Sequence, residues 1–415
     1  MMRVLNVNSS LDFKAGGGTA ERTFQMSRFL AKEGVKCTVL TIDTGLDAER
    51  VVALKPLVVV ALPLLLRRFY VPRVNWKTIK TLVEDADVVH LMGHWGILNA
   101  LVYIAIRRVG KPYVVCPAGA LPIFGRSGWL KRAYNLFIGH AIIRNAAAWI
   151  AVTSSEFPHF NHYGIPSSSI TVIPNGVCED DFPLVDIAKF RRTHGLPDAP
   201  VILFMGRLNP IKGPDLLLRA FLLVHEKMPT FHLVFAGPDG GMLADLIEMA
   251  ESAGLAERVH FLGFVEGDNK SACYRFANLL VVPSRQEAMS IVALEAGICG
   301  TAVLLTDQCG FADILSVDSR LEVASTAPAI AQGLLGLVAR PSNRAGRCAR
   351  LRRSVSSSRL IITRLTARFR GSSMVAVDAT RWWEGTHGCV ALGRRMGRER
   401  TGVPGHRTSP RVNAL

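Results

Sequence analysis

Short apolar runs alternate with helix-period segments along the first 340 residues, and the alternation begins at once. Val4-Leu-Asn-Val7 has the length and character of a buried strand. The loop Ala15-Gly-Gly-Gly-Thr19 follows it. From Ala20 to Lys32, Phe24, Phe29 and Leu30 recur at near-helical spacing, and Gly34 ends the segment. Val35 to Ile42 reads as the next strand. Further strands are expected at 87–91, 113–116, 149–152 and 170–177. A strand, helix, strand succession of this kind predicts parallel pairing, because the intervening helix carries the chain back across the sheet.

A second series starts at Val201-Ile-Leu-Phe-Met205. It continues with a helix over 216–226, a strand at His232 to Ala236, and a helix over 243–253. Strands follow at 259–262, 279–282 and 302–305, with a helix between the last two. Two such series, joined near residues 178–200, predict an α/β fold of two Rossmann-like domains facing across a cleft. The expected bounds are 1–180 and 181–340, with an irregular tail over 341–415. Ligand belongs in the cleft.

The formal net charge of +16 invites a nucleic-acid reading, but its distribution does not support one. From Arg340 onward there are 17 Arg, no Lys and only Asp378, Glu384 and Glu399 as acids, so the body of the chain is nearly neutral. The tail lacks sustained periodicity and reads as an out-of-frame product or an unrelated extension. No nucleic-acid partner is expected. Eight Cys occur without a CxxC pair, which argues against a zinc site or a disulfide framework and for buried thiols in a cytoplasmic protein. Met1 leads into the first strand without a cleavable leader pattern. The apolar run Leu57 to Leu66 contains Pro63 and is too short to span a bilayer. Arg67 and Arg68 follow it, which leaves a surface loop or a peripheral membrane contact open.

The densest candidate chemistry lies after the strand at 279–282. Glu287 follows the strand directly, and Glu295 sits in an apolar helical setting of Ala293, Leu294, Ala296 and Gly297. At roughly 1.5 Å per helical residue, the eight steps between them span about 12 Å. That is the reach from a sugar to a nucleotide's ribose. Ordinary surface acids, or a glycosidase pair, are the competing readings. A second constellation is Gly206-Arg207-Leu-Asn-Pro-Ile-Lys212-Gly213, between a buried strand and a helix. Its glycines, its two cations and the helix N-terminus suit a diphosphate, although a solvated turn has the same composition. Gly16-Gly17-Gly18 is not G-x-G-x-x-G. Asp43 lies near the spacing of a ribose-binding acid, so a dinucleotide reading remains open. His90 and His94 bracket the end of another strand, where a packed histidine and a functional one are about equally expected.

Taken in order along the chain, these segments resemble retaining glycosyltransferases of the GT-B fold, family 4. The resemblance covers roughly 1–340 and is strongest over 200–310. It implies that Arg207 and Lys212 stabilise charge on a leaving nucleoside diphosphate and that Glu287 holds the donor sugar. Glu295 would take the ribose hydroxyls and the Val265 backbone the base. Gly17, Gly18 and Gly206 would approach the phosphates, and His94, in preference to His90, would serve near the acceptor or sugar. Many relatives carry Gly-Phe-Gly after the first glutamate. Here the residues are Ala288, Met289 and Ser290, whose amides would meet sugar or phosphate. Cys116-Pro-Ala-Gly-Ala-Leu-Pro122, with Lys131 and Arg132, resembles an acceptor-side loop of polysaccharide assembly. The implied partners are a nucleotide-sugar donor and a glycan or polyprenyl-linked acceptor, with no metal and no other cofactor. The implied setting is the cytoplasm, at the inner face of the cell membrane if peripheral. A sugar-nucleotide epimerase, and a binding protein impaired by its abnormal C-terminus, stay as alternatives.

Overall fold

The structure, a computed structural model, describes residues 1–12, 16–123, 127–311 and 321–338. All of them belong to one compact unit, Met1–Phe369. The expectations for the tail after residue 340 lie outside the described residues.

The first half of the chain builds a parallel sheet from β1 (Arg3–Val7), β2 (Lys36–Ile42) and β3 (Val58–Leu62). An antiparallel ribbon, β4 (Leu64–Leu66) with β5 (Val71–Pro72), follows. The sheet then takes β6 (Val88–Met92), β7 (Tyr113–Cys116), β8 (Ala148–Ala151) and β9 (Ile170–Val172). Its order is β3-β2-β1-β6-β7-β8-β9. The second sheet contains β10 (Val201–Met205), β11 (His232–Ala236), β12 (Val259–Gly263), β13 (Leu279–Val282), β14 (Ala302–Thr306) and β15 (Glu322–Val323), in the order β12-β11-β10-β13-β14-β15. Every pairing within these two sheets is parallel. Both sheets are therefore doubly wound. The winding reverses between β1 and β6 in one and between β10 and β13 in the other, and crevices for ligands open there, beyond the carboxyl ends of the strands.

The strands are apolar on both faces because helices cover both. In register, Val4 lies beside Val88 and Leu5 beside Val89. Val4, Val88 and Val114 pack with Met26 and Leu30 of helix Gly17–Lys32. Leu5, Val89 and Val115 pack on the opposite face with Ile79, Leu98, Val102 and Ile142. Alternation of side chains along a strand produces this division. The second lobe has one continuous core containing Phe204, Phe221, Phe235, Leu280 and Leu304. Helix Ala327–Val338 packs on helix Pro214–Val224.

Hydrogen bonds tie the lobes together. Buried Arg22 donates to the carbonyls of Ile173 and Pro174 and to Asn175 Oδ1. Asn175 Nδ2 donates in turn to the Met289 carbonyl at 3.0 Å.

One segment departs from the sequence reading. The run Leu57 to Leu66, beside which the sequence leaves a surface loop or a peripheral membrane contact open, is largely strand. Its first part is edge strand β3, paired with β2 from Val58 opposite Thr38 to Leu62 opposite Ile42. Pro63, which has no N–H to give, ends that pairing, and the Leu64 amide turns instead to Asp43 Oδ1 at 2.9 Å. Asp43 is thereby engaged in shaping a turn. The expected strand over 170–177 stops at Val172, shortly before Pro174.

Candidate active site

A cavity of about 630 Å³ lies at the carboxyl ends of both sheets and is lined from both lobes. Of the residues singled out in the sequence, Gly17, Gly18, Gly206, Arg207, Lys212, Val265, Glu287, Met289 and Glu295 line it. His94, Ala288 and Ser290 do not. Gly18 closes the first lobe against the second: a Cβ there would meet Ile291 Cδ1 at 3.6 Å.

The turn after β10 is shaped by close backbone approach. A Cβ on Gly237 would stand 1.9 Å from the Gly206 carbonyl oxygen, so only glycine fits. Gly213 precedes Pro214, the first residue of helix Pro214–Val224, at a left-handed φ of 67°. Proline at this place loses no hydrogen bond, since the first amides of a helix have no partner within it. A Cβ on Gly213 would lie 2.1 Å from the Pro283 carbonyl oxygen. Gly213→Ala is therefore expected to destabilise the protein by more than about 2 kcal/mol, combining left-handed strain with a backbone clash. Urea unfolding checks this; an unchanged midpoint would mean that the turn is not held this way.

Lys212, next to that glycine, meets Glu287 at the cavity wall. Its Nζ stands 2.6 Å from Glu287 Oε1, and Ser284 Oγ donates to Oε2 at 3.0 Å. Glu287 begins a new loop beyond the end of β13. Its own amide is held by the Gln308 carbonyl at 2.9 Å. The cation and the carboxylate neutralise each other here, and both remain partly exposed to the cavity, at 34% and 13%. An incoming anion would compete for the ammonium.

Glu295 lies deeper, on helix Ile291–Cys299, and is 2% exposed. Lys270 Nζ sits 2.6 Å from its Oε1, and Tyr274 OH donates to Oε2 at 2.5 Å. Burial pushes the Glu295 carboxyl above its ordinary value, against the pull of Lys270 and Tyr274. Burial draws the Lys270 ammonium down, but Glu295 and Glu21 outweigh it and leave it raised. Glu21 belongs to the first lobe. Its Oε2 takes Arg50 Nη2 at 2.8 Å, while Arg50 also stacks over Phe24 at 4.3 Å. One end of the cavity thus carries charges of alternating sign from both lobes.

Lys270, Tyr274, Glu21 and Arg50 were not among the residues picked from sequence. Lys270 and Tyr274 carried a readable signal: they lie four apart on helix Gly267–Phe276 and share a face. Glu21 and Arg50 come together only through the fold.

The remaining candidates lie elsewhere. Ala288 faces the first lobe, where Thr153 Oγ1 reaches its carbonyl at 3.4 Å and a Cβ on Gly119 would meet its Cβ at 2.5 Å. Ser290 precedes helix Ile291–Cys299, and its buried Oγ has no hydrogen-bond partner among the described residues. His94 is 2% exposed inside the first lobe. Its Nε2 meets Asn135 Oδ1 at 2.9 Å, and its ring packs edge-on against Trp95, Tyr134 and Tyr163. Burial pushes its pKa down to about 4, so the ring is neutral at pH 7. His90, within β6, is pushed down to about 3 by burial and by the charge of Arg22.

Two family models match the chain. Residues 16–181 match Glycosyltransferase Family 4, and residues 186–349 match Glycosyl transferases group 1. A D-inositol 3-phosphate glycosyltransferase from Acidothermus cellulolyticus is 31% identical over 360 residues, covering 79% of each chain. One from Mycolicibacterium gilvum is 29% identical over 340 residues, covering 72% of this chain and 73% of its own. Among solved structures, Anabaena Alr3699/HepE in complex with UDP and glucose superposes with a TM-score of 0.74 at 18% identity, over 90% of this chain and 100% of that one. Sucrose-phosphate synthase from Thermosynechococcus elongatus gives 0.70 at 20% identity, over 89% and 99%. At these identities the structural matches speak to the fold.

Proposed function

Since the chain belongs to glycosyltransferase family 4, with the GT-B fold, we propose that it moves a sugar from a nucleotide-sugar donor to a glycan or lipid-linked acceptor, with retention of configuration. The acceptor belongs to cell-surface polysaccharide synthesis in this reading. The observation that carries it is the meeting of Arg207, Lys212, Glu287 and Glu295 in one cavity at the strand ends. The distribution of charge supports the roles. Arg207 and Lys212 face the part of the cavity beside the turn of Gly206 and Gly237, where backbone can approach a diphosphate. Glu287 accepts from the sugar's hydroxyls, and Glu295, held by Lys270, accepts from the ribose hydroxyls. That Anabaena Alr3699/HepE binds UDP and glucose agrees with a donor of this class.

The reaction breaks the bond between the anomeric carbon and the diphosphate oxygen, on the face that the acceptor hydroxyl then enters. The acceptor's proton leaves with the departing phosphate. Arg207 and Lys212 stabilise the charge that grows on that oxygen; preorganised cations in a water-poor cleft supply about 3 kcal/mol each. They do the work of a divalent ion, so turnover is expected to survive chelation by EDTA.

The test is a panel of UDP-, GDP- and ADP-sugars incubated with the protein, with and without a polyprenyl-phosphate acceptor. Products are followed by mass spectrometry and their anomeric configuration by NMR. Acceptor-dependent transfer with retention is expected. Epimerised donor in the absence of acceptor would replace this reading with an epimerase. Nucleotide binding with no turnover would replace it with a binding role.

A further inference from the structure

We propose that the face of the first lobe carrying Trp129, Leu136 and Phe137 docks onto an anionic lipid surface. The three are among the most exposed large apolar side chains of the protein, at 70%, 80% and 82%. They lie on one continuous helical stretch: helix Gly128–Tyr134, a single wide turn over Asn135–Gly139, and helix His140–Arg144. Its two sides differ sharply. Asn135, Gly139, Ile142 and Ile143 are buried against the lobe. Trp129, Arg132 and Leu136 follow one another at helical spacing on the outer side, and the wide turn adds Phe137 to them.

The charge around this stripe selects its occupant. Residues 88–155 contain no Asp or Glu, and Lys131, exposed Arg132 and exposed Arg144 lie on the helical stretch itself. A second exposed patch has the same composition. The ribbon of β4 and β5 shows Leu65, Leu66 and Phe69 at 68%, 49% and 41%, interleaved with exposed Arg67, Arg68 and Arg73. The ribbon follows β3 and the helix follows β7, so both leave carboxyl ends of the same parallel sheet. Both are also rooted in the same core, through Leu64 and Tyr70 in one case and Tyr134 and Ile138 in the other. Apolar side chains interleaved with cations suit the boundary between acyl chains and anionic headgroups. Among the described residues, no helix is long and apolar enough to cross a membrane, so this contact lies along the surface. It deepens the proposed function, on which it rests for its purpose: it brings the open edge of the cleft to an acceptor held in a bilayer.

The test is flotation of the full chain with vesicles of equal phosphatidylglycerol and phosphatidylcholine, against phosphatidylcholine alone, in 0.1 and 0.5 M NaCl. Binding is expected only to the anionic vesicles and is expected to weaken in high salt, since each surface cation contributes about fivefold. The triple variant Trp129→Ser, Leu136→Ser, Phe137→Ser is expected to lose tenfold or more of that binding. Circular dichroism and the UDP-induced thermal shift should not change, because these side chains support no core. No binding by the wild type, or equal binding by the variant, overturns the proposal; the second result would assign the lipid contact to another part of the chain. A dimer of the wild type that the variant turns into monomer, with vesicle binding intact, makes the stripe an interface between copies and also overturns it. Vesicle binding needs no donor, so a failure of transfer would count against the proposed reaction and not against this surface.

Discussion

Lys212→Ala is expected to lower turnover by tenfold or more, toward about 10²-fold, while the protein stays folded. The reason lies in where the Lys212 ammonium stands, beside Arg207 in the same cavity. Its ammonium is poised at the edge of the cavity, 2.6 Å from Glu287 and about one third exposed, so it can turn toward an anion without unfolding anything. When diphosphate leaves, negative charge grows beside this cation. Truncation has a second consequence, since Glu287 loses its counter-charge and repels the same anion. The double variant Lys212→Ala, Glu287→Gln separates the two. If repulsion dominates, the double variant recovers activity over Lys212→Ala alone. If the missing cation dominates, it stays low, which is the expected result. Single-turnover kinetics with a saturating donor read the chemical step directly. Near-wild-type turnover in Lys212→Ala would overturn the role assigned to it.

The strands of the second sheet were readable because apolar runs such as Val201 to Met205 and Leu279 to Val282 are buried on both sides and bounded by polar turns. Their pattern is local, and the fold follows it. Val58 to Leu62 was harder. An edge strand is only half covered, and Val58 is 52% exposed, so the run, broken by Pro63, lacks the two-sided burial of the inner strands. The site followed the same rule. Arg207, Lys212 and Glu287 sit in turns directly after strands, where sequence spacing translates into position. Glu295's setting was legible as an apolar helix but its partners were not. Lys270 comes from another helix, and Glu21 with Arg50 from another lobe, so long-range packing alone assembles that end of the cavity. His94 is the converse case. Its place after a strand suggested access, but the aromatic rings of Trp95, Tyr134 and Tyr163 enclose it.

Lys270→Met tests the deepest part of the site, and it is expected to act on both stability and donor binding. Removing one partner of a buried ion pair commonly costs 3–5 kcal/mol. About 3 kcal/mol is expected here, because the Lys270 side chain keeps 27% of its exposure while Glu295 keeps 3%. The pH dependence follows from the directions of the shifts. Lys270 titrates above its ordinary 10.5 in the folded protein, so its stabilising contribution is complete below 10.5 and is lost as pH rises through the folded value. Glu295 titrates above its ordinary 4.5, so its ionisation opposes folding, and that contribution weakens stability as pH rises from 4.5 through the raised value. Without Lys270, burial acts on Glu295 with only the Tyr274 hydroxyl against it, and the carboxyl keeps its proton to higher pH. A protonated Glu295 has less capacity to accept hydrogen bonds from ribose hydroxyls. In Lys270→Met, the donor KM is therefore expected to begin rising at a higher pH than in the wild type as pH is lowered. Lys270→Arg retains the charge and should restore most of the wild-type profile. A purely structural lysine would lower the melting temperature and leave the shape of the KM profile unchanged. A Lys270→Met protein with wild-type stability and a wild-type profile would mean that Glu295 does not depend on this cation at all.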